Sequence, residues 1–80
     1  MHKTIFDESY QRLVGTLRDA RIRNDLTHSD VAKYLGRTRT WIGKIESFEL
    51  RLDLLCFARL CNLYEVDGGE LIRSLQVKQS

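Results

Sequence analysis

Between Leu26 and Leu54 the chain reads LTHSDVAKYLGRTRTWIGKIESFELRLDL, a stretch with two helix starts on either side of one glycine. Thr27 stands where a side-chain oxygen accepts the first backbone N–H groups of a helix. Asp30, three residues on, reaches back to the Thr27 N–H, a capping box with Asp in place of the usual Glu. Leu26 and Val31 occupy the positions of a hydrophobic staple around it. Ala32 and Leu35 supply the buried side of two turns, and Gly36 suits the left-handed conformation by which a chain leaves a helix tightly. Thr38 then caps a second short helix, in which Ile42 and Ile45 recur at i, i+3. About two residues part the helices, a spacing that suits a sharply crossing helix-turn-helix.

On both sides of this stretch the chain continues as helices. Upstream, a helix starting near Asp7 carries Tyr10, Leu13, Val14, Leu17 and Ala20 or Arg21 along one face at 3.6-residue spacing, and Asn24 and Asp25 end it. Downstream, Ser47 to Arg51 forms a loop. Asp53 caps a fourth helix with Leu52 and Phe57 as its staple, and Phe57, Leu60, Cys61 and Tyr64 form the inward stripe. Asp67 and Glu70 make a further box between Val66 and Leu71, so a fifth helix begins near Gly68 and runs to about Leu75, followed by a frayed tail. The sequence has no proline, no low-complexity run and no strand-like alternation. It predicts an all-α, compact five-helix bundle with little room for a catalytic cleft.

An 80-residue chain with 42% apolar residues, seven of its residues aromatic, folds as one domain over residues 1–80. That is close to the size at which a single core is only marginally stabilising, so association with a partner is expected. No apolar run approaches the roughly 18 residues that span a bilayer, and MHKTIFDES lacks the apolar stretch of a secretory signal. A cytoplasmic protein with no membrane partner is the expectation. The net charge of +2 is small but unevenly placed. Arg18 through Arg51 carries eight Lys/Arg against five Asp/Glu, whereas Asp53 through Ile72 carries Arg59 alone against four acids. A basic face beside an acidic one fits a module that turns the first towards phosphates; scattered charges on solvated helix faces give the same sums. Cys56 and Cys61, five apart on one helix, suit neither an internal disulfide nor a metal pair and read as core-filling. His2 and His28 are too far apart to suggest a metal site. No nucleophile is paired with a base, and no Gly-rich phosphate loop appears, so neither an enzyme nor a cofactor is expected.

The run LTHSDVAKYLGRTRTWIGKIE resembles the Cro and phage-repressor-like helix-turn-helix family, and the likeness extends through LDLLCFARLCNLYEVD to cover about Arg18 to Leu71. Leu26, Thr27, Ala32, Gly36, Ile42, Ile45, Glu46 and Val66 match the family pattern. The resemblance implies a lambda-repressor-like DNA-binding fold with its helix-turn-helix at about 27–46 and helix five with the tail, about 68–80, available for dimerisation. It also implies an ion pair between Arg21 of helix one and Glu46 at the end of helix three. Three positions depart from the pattern. His28 stands where members often have a Gln that contacts phosphate and braces the reading residue, and His does both with a pH-dependent charge. Arg37 occupies a turn position that is frequently Val, so it either lies exposed near the DNA or disturbs the turn packing. Gly43 lies inside the recognition helix, where it costs about 0.5–1 kcal/mol relative to Ala.

With Ile42 and Ile45 turned inward, helix geometry turns Arg39, Thr40 and Lys44 outward, and these are the expected base readers. Arg39 offers two parallel bonds to guanine, Thr40 a hydroxyl and a methyl, and Lys44 an ammonium for guanine or a flanking phosphate. Thr38 and His28, at the starts of their helices, would hold phosphates and set the register without reading sequence. Trp41 either lies over a sugar with its N–H donated to phosphate or is half-buried against helix two. Arg51 and Arg37 are further candidates for backbone contacts.

The function expected is that of a sequence-specific, DNA-binding transcriptional regulator, a repressor acting as a homodimer on a partly palindromic operator, nucleoid-associated when bound. Ile72, Leu75 and Val77 would form the dimer contact. The alternative is an antitoxin or adaptor that uses the same fold to grip a cognate toxin or other protein, with DNA binding secondary.

Overall fold

The computed structural model describes residues 7–75. Five α-helices follow one another: α1 Glu8–Arg23, α2 His28–Leu35, α3 Arg39–Glu46, α4 Leu54–Tyr64 and α5 Gly68–Arg73. Each begins at a side chain that takes up orphan backbone N–H groups, so the starts are fixed by local chemistry. The Asp7 carboxylate accepts from Ser9 and Tyr10, the Thr38 hydroxyl from Trp41, Asp53 from Cys56 and Asp67 from Glu70. At α2 both halves of the capping box are present: Thr27 Oγ1 accepts the Asp30 N–H at 3.1 Å and Asp30 Oδ2 accepts the Thr27 N–H at 2.9 Å.

The helix exits share a second device. Leu26, Arg37, Glu49 and Val66 each donate their N–H to a carbonyl five residues back, at 2.8–3.1 Å. Each such bond needs a left-handed residue just before it. Gly36 fills that place after α2 with φ 68°, but Asp25, Phe48 and Glu65 fill the others with φ 55°, 66° and 58°. A residue with a Cβ carries strain there, which the closing hydrogen bond offsets.

One apolar core joins α1 to α4. Leu13, Val14, Leu17 and Ala20 come from α1, Val31 and Leu35 from α2, Ile42 and Ile45 from α3, and Cys56, Phe57, Leu60, Cys61 and Tyr64 from α4. The α3–α4 loop is fastened twice, since Leu52 is buried and donates its N–H to Tyr10 Oη at 2.9 Å. Helix α5 buries none of its own residues and stops at Arg73, two residues earlier than the periodicity of Leu71 and Leu75 suggests. It rests on the core through Leu71 and Leu75 as partly buried neighbours. A glycine at its first position allows the close approach: a Cβ on Gly68 would stand 3.1 Å from Cys61 Sγ. Both cysteines are buried thiols of the core.

Candidate nucleic-acid interface

Burial of Ile42 and Ile45 sets the rotation of α3 about its axis, and Arg39, Thr40 and Lys44 are all exposed as a result. At the helix start the exposed Thr38 accepts the Trp41 N–H at 3.1 Å, which holds the first turn while leaving its hydroxyl proton for an outside acceptor. A short helix capped at one end and buried on one side therefore presents a guanidinium, a hydroxyl and an ammonium on its exposed side. This is a set of hydrogen-bond donors suited to base edges and phosphate oxygens.

The far end of α3 is tied to α1 and α2 through a single carboxylate. Arg21 Nε and Nη2 donate to Glu46 Oε2 and Oε1 at 2.7 and 3.0 Å, and Arg21 Nη1 donates to the Leu26 carbonyl at 2.7 Å. His28 Nε2 lies 2.9 Å from Glu46 Oε1, and Arg18 Nε stands 3.9 Å away. The Glu46 side chain is 9% exposed. Burial works against its ionisation, but the hydrogen bonds from Arg21 and His28 and the Arg21 charge outweigh it and hold the carboxyl below the usual glutamate range. The neighbouring Tyr64 hydroxyl is buried without a partner, and burial together with the Glu46 charge pushes its pKa far up.

His28 thus sits at the start of α2 with one ring nitrogen committed to Glu46 and its other nitrogen on the side of Gly43. A Cβ at Gly43 would lie 3.9 Å from His28 Nδ1. The residue that breaks the family pattern at α2 and the glycine inside α3 are therefore neighbours. Nothing in the sequence spacing foretold this, because His28 and Glu46 are brought together by the crossing of the two helices.

Trp41 is half-buried against the core, and the Arg37 guanidinium lies 5.0 Å from its ring centroid. Arg37 leaves the turn packing intact, since its own N–H closes the exit of α2 at 2.8 Å from the Ala32 carbonyl. Its charge also acts on Asp53 and Cys56 at the start of α4. Arg51 is exposed in the loop before α4. Of the residues expected at a dimer contact, Ile72 is exposed, Leu75 is partly buried against the core, and Val77 lies outside the described residues.

A model of the helix-turn-helix domain matches residues 12–75 of the chain. The chain belongs to the helix-turn-helix domain family, in its Cro and phage-repressor-like branch. The match begins within α1 and ends just beyond α5, so this helix-turn-helix domain comprises the whole five-helix core and not the two-helix motif alone. No curated protein matches the chain. Among the described residues no cluster of His, Cys, Asp or Glu is arranged to hold a metal ion, and no helix is long and apolar enough to cross a membrane.

Proposed function

We propose that this helix-turn-helix protein is a sequence-specific, DNA-binding transcriptional regulator, a repressor that acts as a homodimer on a partly palindromic operator. The reading rests on the outward face of α3, where exposed Arg39, Thr40 and Lys44 stand on a helix that Thr38 caps and Glu46 ties to the rest of the core. In the major groove Arg39 takes a guanine, Thr40 a thymine methyl or a nearby acceptor, and Lys44 a guanine or phosphate. Thr38, His28, Arg37 and Arg51 meet the backbone around it, with the exposed edge of Trp41 lying along a sugar. The family is ordinarily one of binding proteins, and the reading assigns this one no catalysis.

The dimer is supported by an apolar surface beside the α3–α4 loop. Leu54 and Leu55, in the first turn of α4, are 79% and 69% exposed. Leu54 and Ile72 line a largely apolar groove of about 210 Å³ together with Tyr10, Leu13, Leu52, Asp53 and Phe57. A projecting leucine beside an apolar groove is what a two-fold contact requires, because the same patch must supply both knob and hole.

Selection of bound duplexes from a random pool tests the function. Enrichment of one motif with two related half-sites is the expected result, and recovery of no preferred sequence overturns the reading.

A further inference from the structure

The ion-pair cluster at the base of α3 determines which hydrogen-bonding character His28 turns outward. An ionised carboxylate only accepts hydrogen bonds. Glu46 is held ionised by the two-bond fork from Arg21, so the His28 nitrogen 2.9 Å from Oε1 carries the proton. The tautomer is thereby fixed at Nε2–H, and Nδ1 of the neutral ring is a bare lone pair. Nδ1 lies on the Gly43 side of the ring, with no side chain on residue 43 to cover it, and the His28 side chain is 39% exposed. A lone pair repels an anionic oxygen, whereas a second proton taken from solvent makes Nδ1–H a charged donor.

We propose that His28 is a proton-gated DNA contact, in which Nε2–H stays on Glu46 and Nδ1 donates to an acceptor on the duplex only when the ring is protonated. The proposal rests on the DNA-binding reading above. The acceptor is a backbone phosphate oxygen or a base-edge oxygen or nitrogen, which share this chemistry. One proton passes from solvent to Nδ1 for each contact formed, and no covalent bond changes. The charged and titratable groups around the ring are these: Glu46 from α3 bonds to it; Arg21 and Arg18 from α1 share that carboxylate; Tyr64 from α4 stands beside Glu46; Asp30 of α2 itself is occupied with the Thr27 N–H.

A series of buffers from about pH 5 to pH 8 tests the proposal. Dissociation constants for a duplex selected by the protein from a random pool, and for an unselected duplex of equal length, are measured by fluorescence anisotropy at fixed ionic strength over that range. Affinity should rise as the pH falls, approaching about tenfold per pH unit where one proton is taken up. The His28→Gln variant, which keeps a neutral donor for Glu46, should give a flat profile. His2→Gln should keep the slope, since His2 is the chain's other histidine. A slope on both duplexes assigns a phosphate oxygen, and a slope on the selected duplex alone assigns a base edge. A flat profile for the wild type, or an unchanged slope in His28→Gln, overturns the proposal. If His28→Gln does not fold, the nitrogen chemical shifts of ¹⁵N-labelled His28 at neutral pH decide: Nδ1 should move to a protonated value on adding duplex, and an unmoved Nδ1 overturns the proposal. A selected duplex bound without pH dependence removes this inference alone, whereas failure to select any duplex removes the DNA-binding reading with it.

Discussion

Arg21 and Glu46 form a two-bond fork that joins the last turn of α1 to the last residue of α3, with Nε to Oε2 at 2.7 Å and Nη2 to Oε1 at 3.0 Å. Both side chains are largely buried, at 12% and 9% exposure, so neither charge is well hydrated once its partner is gone. Glu46→Gln should cost about 3 kcal/mol of stability, mostly because it strands the Arg21 guanidinium. In a double-mutant cycle by denaturant unfolding, Arg21→Ala and Glu46→Ala should couple by more than about 1 kcal/mol. Coupling near zero would mean that the fork adds nothing to what each chain contributes alone.

The same carboxylate sets an acid limit. Its pKa is lower in the folded protein than the ordinary glutamate value of about 4.5, so the unfolded chain binds the proton more readily. The stability it contributes is therefore fully present above pH 4.5 or so and is lost as the pH falls through the lowered value. Asp30 and Asp53, lowered chiefly by the backbone N–H groups they cap, add to the loss in the same direction. Urea melts of the wild type and Glu46→Gln should thus converge on acidification. A constant gap between them would show that Glu46 does not titrate with folding.

Glycine substitutions should separate strain from space. A Cβ at Gly15, in the middle of α1, meets nothing within 4 Å, so Gly15→Ala should stabilise by about 0.5–1 kcal/mol through helix propensity. Gly36 is equally open but has φ 68°, and Gly36→Ala should cost about 1 kcal/mol. At Glu65, an exposed residue with φ 58°, replacement by Gly relieves that strain and should stabilise by about 1 kcal/mol. Thermal unfolding resolves these signs, since 1 kcal/mol moves the Tm of a domain this size by about 4–8 °C. A common sign for Gly15→Ala and Gly36→Ala would refute the argument from backbone angle.

What the sequence made legible is what depends on neighbours three or four residues away. The caps at Asp7, Thr27, Thr38, Asp53 and Asp67 and the inward stripes of α1 and α4 are of that kind, because a cap joins i to i+3 and a stripe repeats with the helical turn. The exits at Phe48 and Glu65 were not legible, since glycine is the usual sign of a left-handed residue and here the closing bond forces it on others. Contacts that depend on helix crossing were hidden for another reason. Tyr10 with Leu52 and His28 with Glu46 are 42 and 18 residues apart, and no periodicity links them. The exposure of Leu54 and Leu55 reverses the usual inference from hydrophobicity: the staple of Leu52 and Phe57 turns the first turn of α4 so that two leucines face outward.

Base reading should be separable from backbone anchoring. Arg39→Ala is expected to lose about 1–3 kcal/mol on a selected duplex and to relax one position of its motif. Thr38→Ala should weaken selected and random duplexes alike, and it should also lose about 1 kcal/mol of stability with its helix cap. Competition assays with both duplexes distinguish the two. Equal losses on selected and random DNA for Arg39→Ala would remove it from the reading face.

The dimer should fail when its knob is charged. One recognition helix reads few base pairs, so selectivity calls for two half-sites about 34 Å apart that mirror a two-fold axis of the protein. Leu54 projects from the rim of the groove that Ile72 also borders, and in a two-fold pair each Leu54 would enter the groove of its partner. Leu54→Asp with Ile72→Asp puts carboxylates into that contact. The fold should tolerate the change, because both residues are exposed and an Asp in the first turn of α4 suits the helix dipole. Sedimentation equilibrium at tens of micromolar should show a wild-type dimer and a monomeric variant of unchanged helicity. Loss of the second half-site should then weaken operator binding by roughly 10²–10⁴-fold, while a single half-site is bound as before. A monomeric wild type, or a variant that remains dimeric, places the contact elsewhere.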